Sequence, residues 1–298
     1  MDHSAVKIKG LTKRYGELAA LDNLSLDVNK GEILGYLGPN GSGKTTTIRL
    51  MLGMIRPTSG TVSIFGHDAQ TEKDIVHTSL AYVPGEANLW PSLTGIETLH
   101  LLAKVHGQVD LDYRRKLIKR FELEPNRKVR TYSKGNKQKI ALIAALASRA
   151  ELLILDEPTS GLDPLMEQAF REAAVEAKSR GQTIFLSSHI LGEVEALCDR
   201  IAVLRSGKLV ELGSLEQMRH LSSLTIEASF KGRIPDVNHI KGVSNVEING
   251  NSLVCQINGS IDELLSVIAK ARPLTLISRE PSLEELFLAL YGNQPEAN

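Results

Sequence analysis

The 298-residue sequence contains few cysteines, no excess of either charge and no long apolar run. Its two cysteines, Cys198 and Cys255, exclude a disulfide-stapled scaffold and fit a reducing compartment. The 35 basic residues balance the 35 acidic residues, so charge does not point to a nucleic-acid partner. The longest apolar run, 140–147, is far shorter than the about 20 residues of a membrane-spanning helix, and no secretion signal opens the chain. We therefore expect a soluble protein.

Apolar, β-branched runs alternate with helical patterns over the first two thirds of the chain. Ile33–Leu37, Leu152–Leu155 and Thr183–Leu186 are typical of buried strands, which predicts a mainly parallel α/β sheet. Between about residues 88 and 149 apolar residues recur at helical spacing, so this stretch is expected to be an inserted helical subdomain.

A different pattern begins near residue 221, where short alternating runs flank an Asn-Gly-Asn turn at 249–251. The order β, short α, β, β, α, β, with a last helix at Leu283–Tyr291 and a frayed tail, predicts a small ferredoxin-like α+β domain. We expect one domain over 1–218 and an accessory domain over 219–298, joined by a linker at 213–220.

A glycine-rich stretch after the first buried strand fits the pattern G-x-x-x-x-G-K-[ST], the phosphate loop of P-loop NTPases. Its glycines let the backbone turn amide N–H groups toward phosphate oxygens, and the next helix adds its positive end. Lys44 is expected to reach the β- and γ-phosphates, and the Thr45 hydroxyl to bind Mg²⁺. The residues predicted to bind ATP here are Gly38, Pro39, Asn40, Gly41, Ser42, Gly43, Lys44, Thr45 and Thr46.

Two acidic residues follow the apolar strand Leu152–Leu155. Asp156 is expected to hold Mg²⁺, and Glu157 to act as the general base that polarises the attacking water. Ligands of open α/β sheets bind at these strand ends, where the phosphate loop also lies.

Four further elements make about residues 5–215 resemble the nucleotide-binding subunit of an ABC transporter. Ser133-Lys134-Gly135 resembles the signature loop, 160–163 matches the D-loop, His189 matches the switch histidine, and Tyr15 matches the aromatic residue that stacks on adenine. The resemblance implies a P-loop ABC ATPase core, with ATP and Mg²⁺ as cofactors.

The family resemblance also implies partners. Two such subunits sandwich two ATP molecules, so Ser133, Gly135 and Asp163 are expected to act across a dimer with a second copy or a paralogous ATPase. Separately encoded transmembrane permease subunits would hold this cytoplasmic protein at the inner face of the membrane. His189 would sense the γ-phosphate.

Two departures from the family pattern affect these expectations. Lys134 and Asn136 replace a glycine and a glutamine in the signature loop, while Ser133 and Gly135 are retained. Gly85 stands where the family has a glutamine that completes the Mg²⁺ shell. Glu86 either substitutes for it by binding a metal-held water or only caps the loop.

These departures, with the stretch 281–287 near the end of the chain, resemble the exporter subclass that carries drugs and antibiotics. One alternative is a soluble ABC ATPase in translation or DNA repair, which usually has two cassettes or a long coiled coil. Another is a small-molecule kinase, which would leave the signature loop, D-loop and His189 unexplained. The sequence does not specify the cargo.

Overall fold

A computed structural model describes residues 3–107, 109–220, 224–280 and 283–285. The chain forms two compact units, Met1–Gly213 and Ser214–Asn298. Across the described ranges, every helix is too short or too polar to traverse a lipid bilayer.

The first unit alternates strands and helices along the chain. Its strands are β1 (Ser4–Tyr15), β2 (Leu18–Asn29), β3 (Ile33–Leu37), β4 (Ser59–Ile64), β5 (His67–Asp68), β6 (Leu80–Val83), β7 (Leu152–Asp156), β8 (Thr183–Ser188), β9 (Arg200–Arg205) and β10 (Lys208–Gly213). Its helices are α1 (Lys44–Met51), α2 (Lys73–Ser79), α3 (Gly95–His106), α4 (Leu111–Arg120), α5 (Lys134–Leu146), α6 (Pro164–Ser179) and α7 (Leu191–Leu197), with a 3₁₀ turn at Val129–Thr131.

The central sheet has the strand order β10-β9-β3-β8-β7-β6. Neighbouring strands from β9 to β6 are parallel, and β10 pairs antiparallel with β9 at the edge. Every residue of β3, β7 and β8 is buried, as expected for parallel strands that are covered on both faces. The polar side chains of β7 and β8 lie at the strand ends. Their carboxyl ends lie side by side: Leu37 pairs with Ser188, and Ser187 with Asp156.

A second sheet, which was not predicted from the sequence, has the order β2-β1-β4-β5 and is antiparallel. The long strands β1 and β2 pair with several register shifts. Val6, Ile8 and Leu11 of β1 enter the same apolar core as Leu34 and Tyr36 of the central sheet. The expected mainly parallel fold is therefore a mixed one.

Side-chain caps begin the first two helices of the helical insert. Thr94 forms a capping box with Glu97 at the start of α3, and Asp110 accepts a hydrogen bond from the Tyr113 backbone N–H at the start of α4. Leu117 and Phe121 are fully buried in one core with side chains from one face of the central sheet. This core fixes α5, which carries the signature loop at its N-terminus.

The second unit contains α8 (Leu215–His220), β11 (Leu224–Ser229), β12 (Val243–Asn249), β13 (Ser252–Ile257), α9 (Asp262–Lys270) and β14 (Thr275–Arg279). The strand order is β12-β13-β11-β14, and all pairs are antiparallel. The short helix predicted between β11 and β12 is wrong: residues 230–242 are irregular, although Val237 and Ile240 within them are buried. The predicted linker is helical over α8. Most of the predicted last helix, the tail and part of the 281–287 stretch lie outside the described residues.

Candidate active site

The phosphate loop runs from the end of β3 to the first residue of α1. Gly43, the N-cap of α1, has a φ of 110°, and a Cβ there would lie 2.7 Å from the backbone carbonyl oxygen of Ala20. Only glycine fits both conditions without strain. The loop opens onto a cavity of about 380 Å³. The cavity is lined by Leu18, Ala19, Ala20, Asn40, Gly41, Gly43, Lys44, Thr45, Thr46, Glu157 and Ser206.

Lys44 lies buried at the base of this cavity. Its Nζ donates hydrogen bonds to the carbonyl oxygens of Gly38 at 2.6 Å and Pro39 at 3.1 Å. Burial lowers the pKa of the Lys44 ammonium, while the nearby charges of Glu157 and Asp156 act in the opposite direction. Two neutral carbonyls therefore hold a cation that is suited to an anionic ligand.

A line of charged groups continues from Lys44 across the strand ends. Glu157 Oε1 lies 3.9 Å from Lys44 Nζ and 3.3 Å from Nδ1 of His189. The His189 side chain is 53% exposed and Glu157 is 29% exposed, so both can meet a ligand in the open part of the cavity. The structure thus brings together Lys44, Glu157 and His189, although 145 positions separate the first of them from the last.

Glu157 has an unusual backbone. Its φ is 48°, in the left-handed region that non-glycine residues rarely adopt. Its N–H donates to the carbonyl oxygen of Ser187 at 2.9 Å, which continues the pairing of β7 with β8 for one more residue. The left-handed turn at this point leaves the carboxylate beside Lys44 and His189. Such local strain is characteristic of functional sites.

Asp156 is buried next to the first turn of α1. Its Oδ2 accepts a hydrogen bond from Thr45 Oγ1 at 3.3 Å, and its Oδ1 accepts one from Ser187 Oγ at 2.6 Å. Burial raises the pKa of Asp156, Ser187 lowers it, and the charge of Glu157 raises it further. A hydroxyl and a carboxylate oxygen therefore face each other beside the cavity.

Tyr15 lies near the rim of the same cavity. It pairs across the β1–β2 hairpin with the cavity residue Leu18, and its side chain is 49% exposed. Lys13 Nζ lies 4.9 Å from the centre of the Tyr15 ring. About half of this aromatic residue is thus accessible to a ligand.

The signature loop and D-loop form a separate cluster, which does not line this cavity. Ser133 caps α5 by accepting a hydrogen bond from the Asn136 N–H, and Asp163 caps α6 in the same way. A Cβ on Gly135 would lie 2.3 Å from the carbonyl oxygen of Gly161, so the two loops touch at their backbones. Within one chain, Ser133, Gly135 and Asp163 therefore belong to a second surface.

The loop after β6 brings Gly85, not Glu86, to the acidic pair. A Cβ on Gly85 would lie 3.3 Å from the carbonyl oxygen of Asp156. Glu86 is exposed and, in the part of the chain that the structure describes, makes no hydrogen bond with Thr45. Buried Gln138 of α5 donates a hydrogen bond to the carbonyl oxygen of Pro84 at 3.0 Å and so ties this loop to the signature helix.

Comparison with known proteins identifies the family of this arrangement. A family model described as "ABC transporter" matches residues 21–160. A Nod factor export ATP-binding protein I from Rhizobium etli is 32% identical, and the match covers 98% of this chain and 95% of that protein. The chain belongs to the ATP-binding subunits of ABC transporters. It is accordingly an ABC ATPase, whose ATP hydrolysis drives transport.

Two further relatives of this ABC subunit have names that refer to antibiotics. The linearmycin resistance ATP-binding protein LnrL of Bacillus subtilis is 30% identical, with 96% of this chain and 98% of that protein covered. The bacitracin transport ATP-binding protein BcrA of Bacillus licheniformis is 41% identical, with 69% of this chain and 68% of that protein covered.

Solved structures match the first unit of the ABC subunit. An ATP-binding subunit of an ABC transporter superposes with a TM-score of 0.68 at 33% identity, covering 72% of this chain and 92% of that chain. A dimeric, post-hydrolysis state of the cassette MJ0796, bound to ADP and phosphate, gives a TM-score of 0.63 at 28% identity over 70% of this chain and 98% of that chain. The ABC ATPase fold is thereby confirmed, with an additional antiparallel sheet toward the C-terminus.

Four buried polar residues behind the ABC site were not predicted from the sequence. Ser187, Ser188, Gln138 and Glu193 are all buried and hydrogen-bonded next to the residues named above. Ser187 and Ser188 precede His189 in a strand, where successive side chains face opposite sides, and this alternation was the available signal.

Proposed function

We propose that this ABC ATPase powers the export of an amphiphilic compound, such as a drug or antibiotic. The observation that carries this proposal is the extent of the similarity to relatives named for export or resistance. The Nod factor and linearmycin proteins match 98% and 96% of this chain, so the similarity includes the C-terminal unit and not only the cassette. We also propose that this unit is a ferredoxin-like variant whose first crossover helix is replaced by residues 230–242.

In the proposed site the phosphate loop binds the ATP phosphates. Lys44 exchanges the carbonyl oxygens of Gly38 and Pro39 for the β- and γ-phosphate oxygens, which offer a full negative charge. The residues from Gly41 to Thr46 supply backbone N–H groups, and Tyr15 stacks on adenine at the cavity rim.

Thr45 and Asp156 would hold Mg²⁺. Their oxygens lie 3.3 Å apart and no cluster of three acidic, histidine or cysteine side chains forms a metal cage among the described residues. This donor set fits Mg²⁺, which commonly binds one or two carboxylates together with substrate phosphates. When bound, the ion would neutralise charge on the phosphates. Exposed Glu86 would join only through a water molecule.

Glu157 would act as the general base. Its carboxylate takes a proton from the water that attacks the γ-phosphorus, while the bond to the leaving ADP oxygen breaks. His189, at 3.3 Å from Glu157 Oε1, holds that carboxylate and contacts the γ-phosphate. The products are ADP and phosphate.

The complete site would require a second ATPase subunit. Ser133, Gly135 and Asp163 lie outside the cavity of their own chain and at helix N-termini, where backbone N–H groups favour an anion. The dimer of MJ0796 supports this arrangement. We propose that a copy of this chain or a paralogue provides the partner's surface, and that ATP binding closes the dimer.

Membrane subunits encoded separately would hold this dimer at the cytoplasmic face of the membrane and select the cargo. Soluble ABC proteins of translation or repair remain the alternative, and no nucleic-acid partner is expected. Affinity purification from gently solubilised membranes should recover a polytopic protein in stoichiometric amount. Recovery with ribosomes or nucleic acid instead would favour the alternative. Cargo efflux from cells, lost on deletion of the gene, would establish direction.

The assignment of the base is tested by Glu157→Gln. The variant keeps the size of the side chain but cannot take a proton, so phosphate release should fall about 10²- to 10⁴-fold. ATP binding should persist, and the dimer should accumulate with ATP. Turnover close to that of the unchanged protein would refute the role of Glu157.

A further inference from the structure

A buried glutamate lies directly behind the loop that carries His189. Glu193 of α7 is 3% exposed, and its Oε2 accepts a hydrogen bond from Ser188 Oγ at 2.6 Å. Its Oε1 is also buried and has no hydrogen-bond partner within the described ranges. Burying a carboxyl group in this way is costly, so its presence calls for an explanation.

The bonds of Ser188 enclose His189 on both sides. Ser188 Oγ donates its single proton to Glu193 and accepts a hydrogen bond from the Ile190 backbone N–H at 3.0 Å. The residue before His189 and the residue after it are thereby tied together. Since the His189 side chain is half exposed, this backbone anchor limits where its ring can lie.

The two serines of β8 donate hydrogen bonds to different carboxyl groups. Ser187 donates to Asp156 on one face of the sheet, and Ser188 donates to Glu193 on the other, because successive side chains in a strand alternate. The first bond belongs to the site already described. The second reaches a carboxyl group that does not line the ATP cavity.

Glu193 also faces the segment that follows Glu157. Thr159, which is buried two residues beyond Glu157, lies close enough for its hydroxyl to lower the pKa of the same carboxyl group. Burial raises the pKa of Glu193, and the hydroxyls of Ser188 and Thr159 act in the opposite direction. Glu193 therefore bonds to the loop of His189 and lies near the segment that leads into the D-loop.

We propose that Glu193 is a positioning residue for ATP hydrolysis, which holds His189 in place beside Glu157 through its hydrogen bond with Ser188. This proposal rests on the roles given above to Glu157 and His189. Glu193 does not line the ATP cavity, so it should influence the rate of hydrolysis and leave ATP affinity almost unchanged.

The first test is Glu193→Ala, measured as ATP turnover and as ATP binding in the assembled transporter. We expect kcat to fall about 10- to 100-fold, since small misplacements of reacting groups cost this much, and KM to change less than about twofold. Glu193→Gln, which still accepts a hydrogen bond from Ser188, should retain at least about a third of the rate. Equal losses in both variants, or a KM change matching that in kcat, would overturn the proposal.

A matched control removes a glutamate from the far end of β7. Glu151 is exposed and precedes the strand that ends in Asp156, so Glu151→Ala should keep full turnover. Thermal unfolding of each variant verifies the fold. If Glu193→Ala does not fold, Ser188→Ala removes the same link, and wild-type kcat in that variant would contradict the proposal.

A double variant separates positioning from a general loss of structure. In the background of His189→Ala, replacing Glu193 by alanine should cause no further loss, because the residue it positions is already absent. If the fold-losses in turnover of the two single variants instead multiply in the double variant, Glu193 does not act through His189. If Glu157→Gln and His189→Ala are themselves near normal, the proposed roles of those residues fail; if they are impaired but Glu193→Ala is not, only the positioning role fails.

Discussion

The first unit has two acidic sites whose surroundings shift the carboxyl pKa in opposite directions. At the phosphate loop, burial raises the pKa of Asp156. Under the helical insert, Glu176 of α6 accepts hydrogen bonds from Arg120 at 2.7 Å and from the Tyr113 hydroxyl at 2.8 Å, and these bonds lower its pKa. Arg180 lies 4.0 Å from the centre of the Tyr113 ring.

The contrast distinguishes groups that hold a ligand from groups that hold the fold. Asp156 and Lys44 are buried, and neighbouring protein groups offset the cost of burying their charges only in part. A bound nucleotide and metal would supply the remaining charge partners. Glu176 already has its partners, so it fastens α4 to α6 whether or not ATP is present. Variants at the first site should therefore change binding and turnover, and variants at the second should change stability.

The largest effect should follow Lys44→Met, which removes the ammonium group and keeps most of the stem. ATP affinity should fall at least about 100-fold, since hydrogen bonds to charged groups contribute about 1.5–3 kcal/mol each. Without nucleotide, the melting temperature should move by no more than about 4 °C, equivalent to about 1 kcal/mol. Calorimetric titration measures the affinity and thermal unfolding measures the stability. A large loss of stability with normal affinity would mean that Lys44 holds the fold and not the ligand.

The next effect concerns the contact between signature loop and D-loop. In Gly135→Ala the new Cβ meets the Gly161 carbonyl oxygen at 2.3 Å, so backbone must shift and turnover should fall about 100-fold. Gly85→Ala is the matched control, because its nearest neighbour is 3.3 Å away. It should remain within about fivefold of the unchanged protein. Similar turnover in the two variants would argue against a role for this contact.

A smaller effect is expected for Glu176→Gln, and it depends on pH. Because folding lowers the pKa of Glu176, its charge stabilises the fold above the unfolded pKa of about 4.3. That contribution is lost as pH falls through the folded pKa. The variant should lose about 0.2–1 kcal/mol at pH 7, the range for partly exposed pairs, and little at pH 3. Urea unfolding at both pH values measures the difference, and an equal loss at both would contradict the charge-based account.

The smallest effect should have the opposite sign. Because folding raises the pKa of Glu193, its contribution is fully favourable below the unfolded pKa and declines as pH rises through the folded pKa. Glu193→Gln cannot ionise, so its stability relative to the unchanged protein should improve between pH 4 and pH 8. If the stability of Glu193→Gln relative to the unchanged protein instead falls over this range, in the same unfolding assay, the carboxylate is stabilised by its neighbours.

The sequence was most informative where local chemistry is distinctive. The phosphate loop, the strands around Asp156 and Ser187, and the helical insert lie where the patterns predicted them. The spacing of the motifs matched the resemblance closely enough to identify the family before the geometry was known. Roles assigned to individual site residues stay predictions until the variants above are measured.

Other features depend on long-range contacts that a pattern does not carry. The register shifts between β1 and β2 break the simple alternation that would have predicted the second sheet. Residues 230–242 were expected to include a helix, but Val237 and Ile240 bury their side chains from an irregular segment. Glu193 reads as an ordinary surface residue of a helix until Ser188 is found beside it.

The left-handed backbone of Glu157 has a consequence for laboratory evolution. A non-glycine residue in this region is strained by about 1–2 kcal/mol, whereas glycine adopts this conformation without strain and asparagine with less strain than most residues. A library selected only for heat resistance would therefore tend to enrich glycine or asparagine at position 157 and discard the base. Robustness and transport must be selected together in this protein, because at this one residue they favour different amino acids.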